Sequence, residues 1–103
     1  MKVQVIYLPE TLADIDDILV YLAAHGSPKI AARLVNNIVN ICESFGEFPH
    51  RGTMRDDILD GLRTYGWKRT ATIAFRIMPD NVQILGIFYR GRDVEAALGS
   101  RQI

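Results

Sequence analysis

Residues 70–89 read TATIAFRIM-PDN-VQILGIFY. The two apolar segments, 70–78 and 82–89, are rich in β-branched and aromatic side chains, a composition that predicts strands. The intervening Pro79-Asp80-Asn81 has the composition of a hairpin turn. We therefore expect these twenty residues to form an antiparallel β-hairpin.

Basic residues are concentrated in and around this hairpin. Between Leu62 and Asp93 the chain has a single acidic residue, Asp80, and six basic ones. The six are Arg63, Lys68, Arg69, Arg76, Arg90 and Arg92. Because strands hold their side chains in a fixed array, such cations suit a polyanion or an acidic protein surface better than a small apolar ligand.

The chain begins with a predicted strand and a predicted helix. Residues 2–8 are rich in β-branched and aromatic side chains and predict a strand. Pro9 then stands at a position that a first helical turn tolerates. Apolar residues recur at three- and four-residue spacing over residues 9–24, which predicts a helix that stops at His25-Gly26.

A second helix follows at once. Ser27-Pro28 combines an N-cap serine with a proline at the first helical position. Residues 30–45 then place apolar side chains along one broad face. Since the connection is so short, we expect the two helices to be antiparallel neighbours in a helical hairpin.

The remaining segments complete an α+β fold. Residues 46–60 have the composition of a loop, residues 62–67 predict a short strand, and residues 94–98 predict a short final helix. The order is thus an N-terminal strand, an αα-hairpin, a mostly antiparallel three-stranded sheet and a short helix. We expect a single domain over residues 1–103 with the helices packed on the sheet.

Composition excludes several classes of protein. A hydrophobic content of 49% excludes intrinsic disorder. The apolar runs are far shorter than the ~20 residues that span a bilayer, and no export signal is indicated at the start. The single Cys42 forms neither an internal disulfide nor a zinc cluster, as in proteins of a reducing compartment. We expect a soluble, cytoplasmic protein.

The zero net charge hides an asymmetry between the two halves. Residues 1–50 carry three basic and six acidic residues, whereas residues 51–103 carry nine basic and six acidic ones. Dedicated nucleic-acid binders are usually strongly basic, because phosphate contacts supply most of their affinity. The neutral total therefore favours a protein partner, and we do not expect this chain to bind nucleic acid alone.

Seven residues are candidates for binding a target, and each has a structural alternative. They are Arg63, Trp67, Lys68, Arg69, Tyr89, Arg90 and Arg92. Arginines of this kind could instead pair with nearby acids and hold a loop in place. Those acids are Asp56, Asp57, Asp60 and Asp93. The two aromatic residues could simply cover the sheet instead of anchoring a partner or stacking on a base.

We expect no catalytic residue, metal or cofactor, since no nucleophile–base pair or metal-ligand spacing occurs. His25 at a helix end is explained by the helix dipole, and His50 lies in the loop. Cys42 lies on the apolar face of the second helix and is expected to be buried. The acidic cluster in the first helix, Asp14-Asp16-Asp17, is also explained by the dipole.

Several short motifs occur in an order that spans nearly the whole chain. They are the acidic first helix with Tyr21, Ser27-Pro28 with Ala31 and Ala32, Phe48-Pro49 with Gly52, Gly61-Leu62-Arg63, and the ending from Ile84 to Asp93. In this order they resemble the RelE/ParE family of bacterial type II toxins, and ParE more than RelE. The chain departs from that pattern at three positions. Gly86 stands where an arginine is common, Tyr89 where a histidine is common, and Phe75 where a tyrosine is common.

The resemblance implies a RelE/ParE fold and a toxin that inhibits DNA gyrase by protein binding and is neutralised by a ParD-like antitoxin. Two alternatives stay open. One is a RelE-like ribosome-dependent mRNA endonuclease, in which Tyr89 would serve acid–base chemistry. The zero net charge argues against it, as does the lack of a lysine-rich cluster, because Lys68 is the only lysine after Lys29. The other is an inactive toxin fold that only binds an antitoxin.

The second helix has more apolar residues than one narrow seam requires. The surplus comprises Ile30, Val35, Val39 and Ile41. Apolar faces of this kind commonly receive a partner helix. We therefore expect an antitoxin segment that folds on binding to cover this surface.

Overall fold

The computed structural model of the chain describes residues 2–101 and residue 103. Its elements are β1 (Gln4–Tyr7), α1 (Pro9–His25), α2 (Pro28–Ser44), β2 (Thr53–Met54), β3 (Leu62–Trp67), β4 (Ala71–Ile77), β5 (Asn81–Tyr89) and α3 (Val94–Gly99). The predicted order is confirmed, with β2 added inside the segment predicted as a loop. Within the described part of the chain, no helix is long and apolar enough to cross a membrane.

The strands form one mixed sheet in the order β1-β5-β4-β3-β2. Three consecutive strands, β3, β4 and β5, pair antiparallel as predicted. The N-terminal β1 pairs parallel with β5, which places β5 inside the sheet instead of at its edge. At the other edge β2 pairs with β3 through only two residues. Two residues are too few for an alternating pattern, and this explains why the sequence did not reveal β2.

A β-bulge in β5 explains its nearly continuous apolar sequence. Ala74 pairs with Gly86 and Phe75 with Ile84, so Leu85 is the extra residue. A bulge shifts the side-chain alternation by one position. Ile84 and Ile87 therefore both pack on the side of the helical hairpin, while Leu85 packs on the opposite side.

Two apolar clusters result, one on each face of the sheet. On the first face, α1 and α2 pack on the sheet, and the rings of Phe45 and Phe75 stack with their centroids 4.2 Å apart. Cys42 is fully buried in this cluster, as predicted. On the second face, Leu98 of α3 covers Leu85 and its neighbours. The sheet is thus covered on both faces.

Two of the helices begin with a side-chain cap, and the cap of α2 is the one that the sequence predicts. The backbone N–H of Lys29 donates to Ser27 Oγ at 3.2 Å, and Pro28 is the first residue of α2. Asp93 caps α3 by accepting from the N–H of Ala96 at 3.1 Å. Such caps satisfy donors that a first helical turn leaves unpaired.

The predicted apolar surplus on α2 requires a correction. Val35 and Ile41 pack against the core, because α2 packs on α1 and on the cluster that covers the sheet and therefore needs a wide apolar face. Val39 is partly buried as well. Only Ile30, which is 63% exposed, is available to a partner.

Candidate target-binding site

The β3–β4 turn and the end of β5 lie together at one end of the sheet. Trp67 pairs with Ala71, and Ala71 pairs with Tyr89 in the next strand. The N–H of Arg90 donates to the carbonyl of Thr70 in the turn at 2.9 Å. Six of the seven predicted site residues are therefore neighbours at this end. We call its four cations, Lys68, Arg69, Arg90 and Arg92, the basic end.

Arg63 does not belong to the basic end, contrary to the prediction that grouped it with the others. It pairs with Phe75 and Met54 at the opposite end of β3, about 13 Å from Trp67 at 3.3 Å per residue. Its Nη1 donates to the carbonyl of Arg51 at 3.3 Å. Arg63 thus contacts the loop that enters β2, and its part in target binding stays a prediction.

Three of the four acids that might have neutralised the predicted arginines have other partners, and none of the four is in a described ion pair with one of those arginines. Asp57 pairs with Arg55 at 2.9 Å, and Asp56 accepts from the N–H of Gly61 at 2.8 Å. Asp93 caps α3. Among the described ion pairs, the basic end has one contact with an acid, at 3.9 Å from Arg92 Nη1 to Asp14 Oδ1. The interpretation that these acids hold the arginines in place is therefore wrong.

The backbone of the basic end is strained. Lys68, Arg69 and Arg90 have φ values of 48°, 55° and 36°. This left-handed conformation costs a residue with a Cβ roughly 1–2 kcal/mol, and glycine usually takes it. The three non-glycine residues with positive φ in the described chain are all basic and all lie at this end. Backbone strain of this kind is concentrated at functional sites in proteins.

A groove of about 300 Å³ lies beside the basic end, between α1 and the end of β5. Its floor is apolar and aromatic. Ile18 is buried there, and the rings of Tyr21 and Tyr89 lie 6.1 Å apart. Arg90 and Arg92 form one wall. We call this groove between α1 and the end of β5 the α1–β5 groove. An exposed aromatic floor beside arginines is typical of the anchoring positions of protein interfaces.

The two candidate aromatic residues both pack on the core and contact a cation. Trp67 and Tyr89 are partly buried against the cluster under the helical hairpin, as the structural alternative predicted. Each also carries a cation near its ring: Lys68 Nζ is 5.4 Å from the centroid of Trp67, and Arg90 Cζ is 5.3 Å from that of Tyr89. These cation–π contacts orient part of the basic end.

Asp14 was misinterpreted as a dipole residue. It is 4% exposed and accepts from Arg101 Nη1 and Nη2 at 2.7 and 2.6 Å, and from the N–H of Ile87 at 3.0 Å. The hydrogen bonds to Asp14 raise the pKa of Arg101 above its usual value. One signal was present in the sequence, because Asp14 lies between Thr11 and Ile18 on the inward face of α1.

Arg101 occupies the space above Gly86. A Cβ at Gly86 would collide with the ring of Phe88 and lie 2.7 Å from Arg101 Nη1. Arg101 Nη1 also donates to the carbonyl of Leu85 at 3.0 Å. A guanidinium is therefore present over this part of β5, but it comes from the C-terminal segment and not from residue 86, where the resemblance implies an arginine.

Comparisons with known proteins agree on one family and one fold. A family model described as the ParE toxin of the type II toxin–antitoxin system parDE matches residues 5–94. No curated protein sequence matches the chain significantly. The chromosomal ParDE toxin–antitoxin system from P. aeruginosa has a similar structure, with a TM-score of 0.75 and 23% identity over 86% of this chain and 97% of that chain.

A second solved structure is more distant. The toxin–antitoxin complex RelBE2 from Mycobacterium tuberculosis aligns with a TM-score of 0.58 and 18% identity, over 87% of this chain and 100% of that chain. At such low identities the two likenesses establish a shared fold, and the predicted RelE/ParE fold is confirmed.

Proposed function

The chain belongs to the ParE toxin family of type II toxin–antitoxin systems, and we propose that it acts by binding DNA gyrase and blocking its cycle, without catalysing a reaction itself. The observation that carries this proposal is the basic end beside the aromatic α1–β5 groove. We assign target binding to Trp67, Lys68, Arg69, Tyr89, Arg90 and Arg92. Tyrosine, tryptophan and arginine are the residues that most often dominate binding energy in protein interfaces.

The position of Tyr89 supports binding over ribonuclease chemistry. A tyrosine has an ordinary pKa near 10, so acid–base work at neutral pH needs a cation close to its hydroxyl. Here the Arg90 guanidinium lies over the ring, 5.3 Å from its centroid, and the ring faces Tyr21 across the groove. This arrangement suits an interface aromatic residue better than a proton donor.

We also propose a ParD-like antitoxin as the partner that keeps the toxin inactive in the cytoplasm. Three apolar residues of the helical hairpin support this: Leu12, Val20 and Ile30 are 52%, 69% and 63% exposed. An amphipathic helix of the antitoxin would bury them, as partner helices bury such residues elsewhere. The antitoxin segment would order on binding.

Two assays with the purified toxin test the target. In a supercoiling assay with gyrase, we expect supercoiling to fall and linear DNA to accumulate. In a parallel translation assay, we expect a reporter message to be translated normally. Codon-specific cleavage of the translated message with gyrase unaffected would replace this proposal by ribosome-dependent ribonuclease activity. If supercoiling and translation both proceed normally in the presence of a chain that still binds its antitoxin, the chain is an inactive toxin fold.

The antitoxin surface is tested separately by charge insertion. Val20→Asp and Ile30→Asp change exposed residues, so we expect normal melting temperatures and loss of antitoxin binding in calorimetry. The matched control is Asn37→Asp with Asn40→Asp, which adds the same charge to exposed polar positions of α2. Binding that survives the first pair, or fails equally in the control, would place the antitoxin on another surface.

A further inference from the structure

A second, smaller cavity lies at the basic end, on the face of the sheet opposite the helical hairpin. It has a volume of about 160 Å³. Its floor follows the row of paired residues Gly66, Thr72 and Phe88, and its walls include Arg69, Arg90 and Arg92. We propose that this cavity binds a phosphate group of the DNA backbone, so that the toxin contacts the DNA held by its target as well as the target protein.

The charges around the cavity select an anion. Three arginines line it, two of them shared with the α1–β5 groove, and none of the described residues that line it is acidic. Arg92 has one weak contact with an acid, at 3.9 Å from Asp14, and its side chain stays 49% exposed. The other two arginines have no acidic partner among the described ion pairs. Burying these positive charges under a neutral ligand would be unfavourable, whereas an anion compensates them.

The type of cation favours phosphate over carboxylate. All three cations that line the cavity are arginines, whose planar fork of N–H donors matches phosphate oxygens bidentately. A phosphate offers more acceptor oxygens than a carboxylate and can therefore be shared by several guanidinium groups. The Thr72 hydroxyl at the cavity provides a further donor, whereas the Thr70 hydroxyl donates to the carbonyl of Lys68 at 3.2 Å.

The backbone leaves room for close approach. A Cβ added at Gly66 or Gly91 would meet no atom within 4 Å, so open space lies above both residues. Glycine inside a strand weakens pairing, and it often marks a place where a ligand approaches the backbone. Gly66 is such a residue, next to the last position of β3 and opposite Thr72.

The strained backbone points to the same side chains. Arg69 and Arg90 keep positive φ values of 55° and 36° where glycine would be less strained. This backbone strain is retained at two of the three arginines that line the cavity. A functional requirement for the arginine side chains accounts for it, since the fold alone would favour glycine at both positions.

One site of this kind gives weak binding to free DNA. A protein that neutralises few phosphates gains little from counterion release, and this chain has zero net charge. The site becomes effective when gyrase holds toxin and DNA in the same complex, because the second contact is then intramolecular. The choice of DNA as the source of the phosphate thus rests on the proposed function, whereas the phosphate site does not.

The site is tested directly by titrating the toxin with small probes and monitoring its backbone amide signals by NMR. The probes are inorganic phosphate, acetate and a DNA duplex of about 12 base pairs, a little over one helical turn, all at constant ionic strength. We expect phosphate and duplex to shift the amides of Gly66, Thr72 and Gly91 saturably, with acetate much weaker. We also expect the duplex to bind several-fold more tightly than phosphate.

The variant Arg69→Asn removes one guanidinium and keeps a residue that tolerates positive φ. We expect it to lose most of the phosphate-induced shifts, to melt at the wild-type temperature or higher, and to lower the salt slope of duplex binding by roughly one phosphate contact, or about 0.9. The matched control is Arg33→Gln, which removes the same charge from the exposed face of α2 and should change none of these.

Each alternative result has a definite meaning. Equal shifts with acetate would overturn the phosphate site in favour of an acidic protein side chain. Phosphate binding without duplex binding would leave a site for free phosphate and overturn the DNA assignment. Unsaturable shifts, or equal losses in both variants, would reduce the effect to general surface charge. Since gyrase is absent from these measurements, failure of the gyrase proposal would not alter them.

Discussion

Asp14 shows at the scale of one residue how distant parts of this chain are joined. Its carboxylate accepts two hydrogen bonds from Arg101, 87 positions away, and one from the backbone of Ile87 in β5. A second arginine, Arg92, lies 3.9 Å from the same carboxylate. One nearly buried charge therefore connects α1, β5 and the C-terminal segment, and it also borders the basic end.

Replacing Asp14 by alanine should destabilise the fold strongly. The Arg101 side chain is only 11% exposed, and removing one partner of a buried ion pair costs about 3–5 kcal/mol. Because this pair borders the surface, we expect about 3 kcal/mol in urea denaturation. The control Asp16→Ala, at an exposed position of the same helix, should stay within about 0.5 kcal/mol. Similar costs for the two variants would show that the ion pair contributes little.

Two buried groups should make the protein sensitive to alkaline pH. Burial raises the pKa of the Cys42 thiol to about 12 from an ordinary value of 9.0, and nearby Glu43 adds to the shift. Burial, followed by a hydrogen bond to Glu43, also raises the pKa of the Tyr7 phenol. The folded state thus keeps protons that the unfolded state loses above about pH 9.

The Cys42 thiol stabilises the folded state only while both states are protonated or the folded state alone keeps its proton. Stability from Cys42 is fully present below pH 9 and is lost as the pH rises toward 12. We expect the free energy of unfolding to fall over this range in urea titrations. Cys42→Ala should show a shallower fall, while Lys29→Ala, which changes an exposed residue, should follow the wild type. Parallel curves for wild type and Cys42→Ala would remove the thiol from the explanation.

At the scale of one element, the β3–β4 turn holds two basic side chains at the basic end, and its strained backbone lowers the stability of the fold. Its central residues, Lys68 and Arg69, both have positive φ. Turns of this kind favour Asn-Gly. The same turn carries half of the basic end and part of the proposed phosphate cavity. The basic residues in this turn are therefore better explained by the charged side chains that they place at the basic end than by the needs of the turn itself.

The double substitution Lys68→Asn with Arg69→Gly should stabilise the fold. Relief of left-handed strain is worth roughly 1 kcal/mol per residue, partly offset by the greater freedom of glycine in the unfolded chain. We expect a net gain of about 1 kcal/mol in urea denaturation together with weaker toxicity. In contrast, Arg33→Gly in the interior of α2 should cost about 1 kcal/mol. A destabilised turn variant would mean that the turn side chains make stabilising contacts that outweigh the strain.

At the scale of the whole molecule, toxicity and stability should depend on different residues. Arg90→Ala and Arg92→Ala remove exposed charges and should change the free energy of unfolding by no more than about 0.5 kcal/mol. Ile38 lies on the buried face of α2 and is 1% exposed, so Ile38→Ala should lower the free energy of unfolding by roughly 2–5 kcal/mol. Growth assays and thermal melts on the same variants separate the two effects.

We expect the arginine variants to be folded and harmless, and the Ile38 variant to be harmless because it is destabilised. The pair Lys29→Ala with Arg33→Ala removes the same charge from α2 and should remain toxic. Arginine variants that melt normally and stay fully toxic would move the active surface elsewhere, with Trp67 and the helical hairpin as the next candidates.

Local patterns in the chain were sufficient to predict the order of its elements except for the two-residue β2. Ser27-Pro28 marks the start of α2, and the apolar segments around residues 79–81 mark β4 and β5. Six of the seven predicted site residues also lie close together, at the β3–β4 turn and the end of β5. These features depend on residues close together in the chain, where spacing and turn composition carry the information.

The contacts between distant residues emerged only from the tertiary structure. They include the parallel pairing of β1 with β5, the bulge at Leu85, the separation of Arg63 from the basic end, and the ion pair of Asp14 with Arg101. No periodicity encodes which distant strand or charge a residue meets. Such partners are selected when the helices bury their apolar faces on the sheet, because burial then requires each enclosed polar group to find a partner.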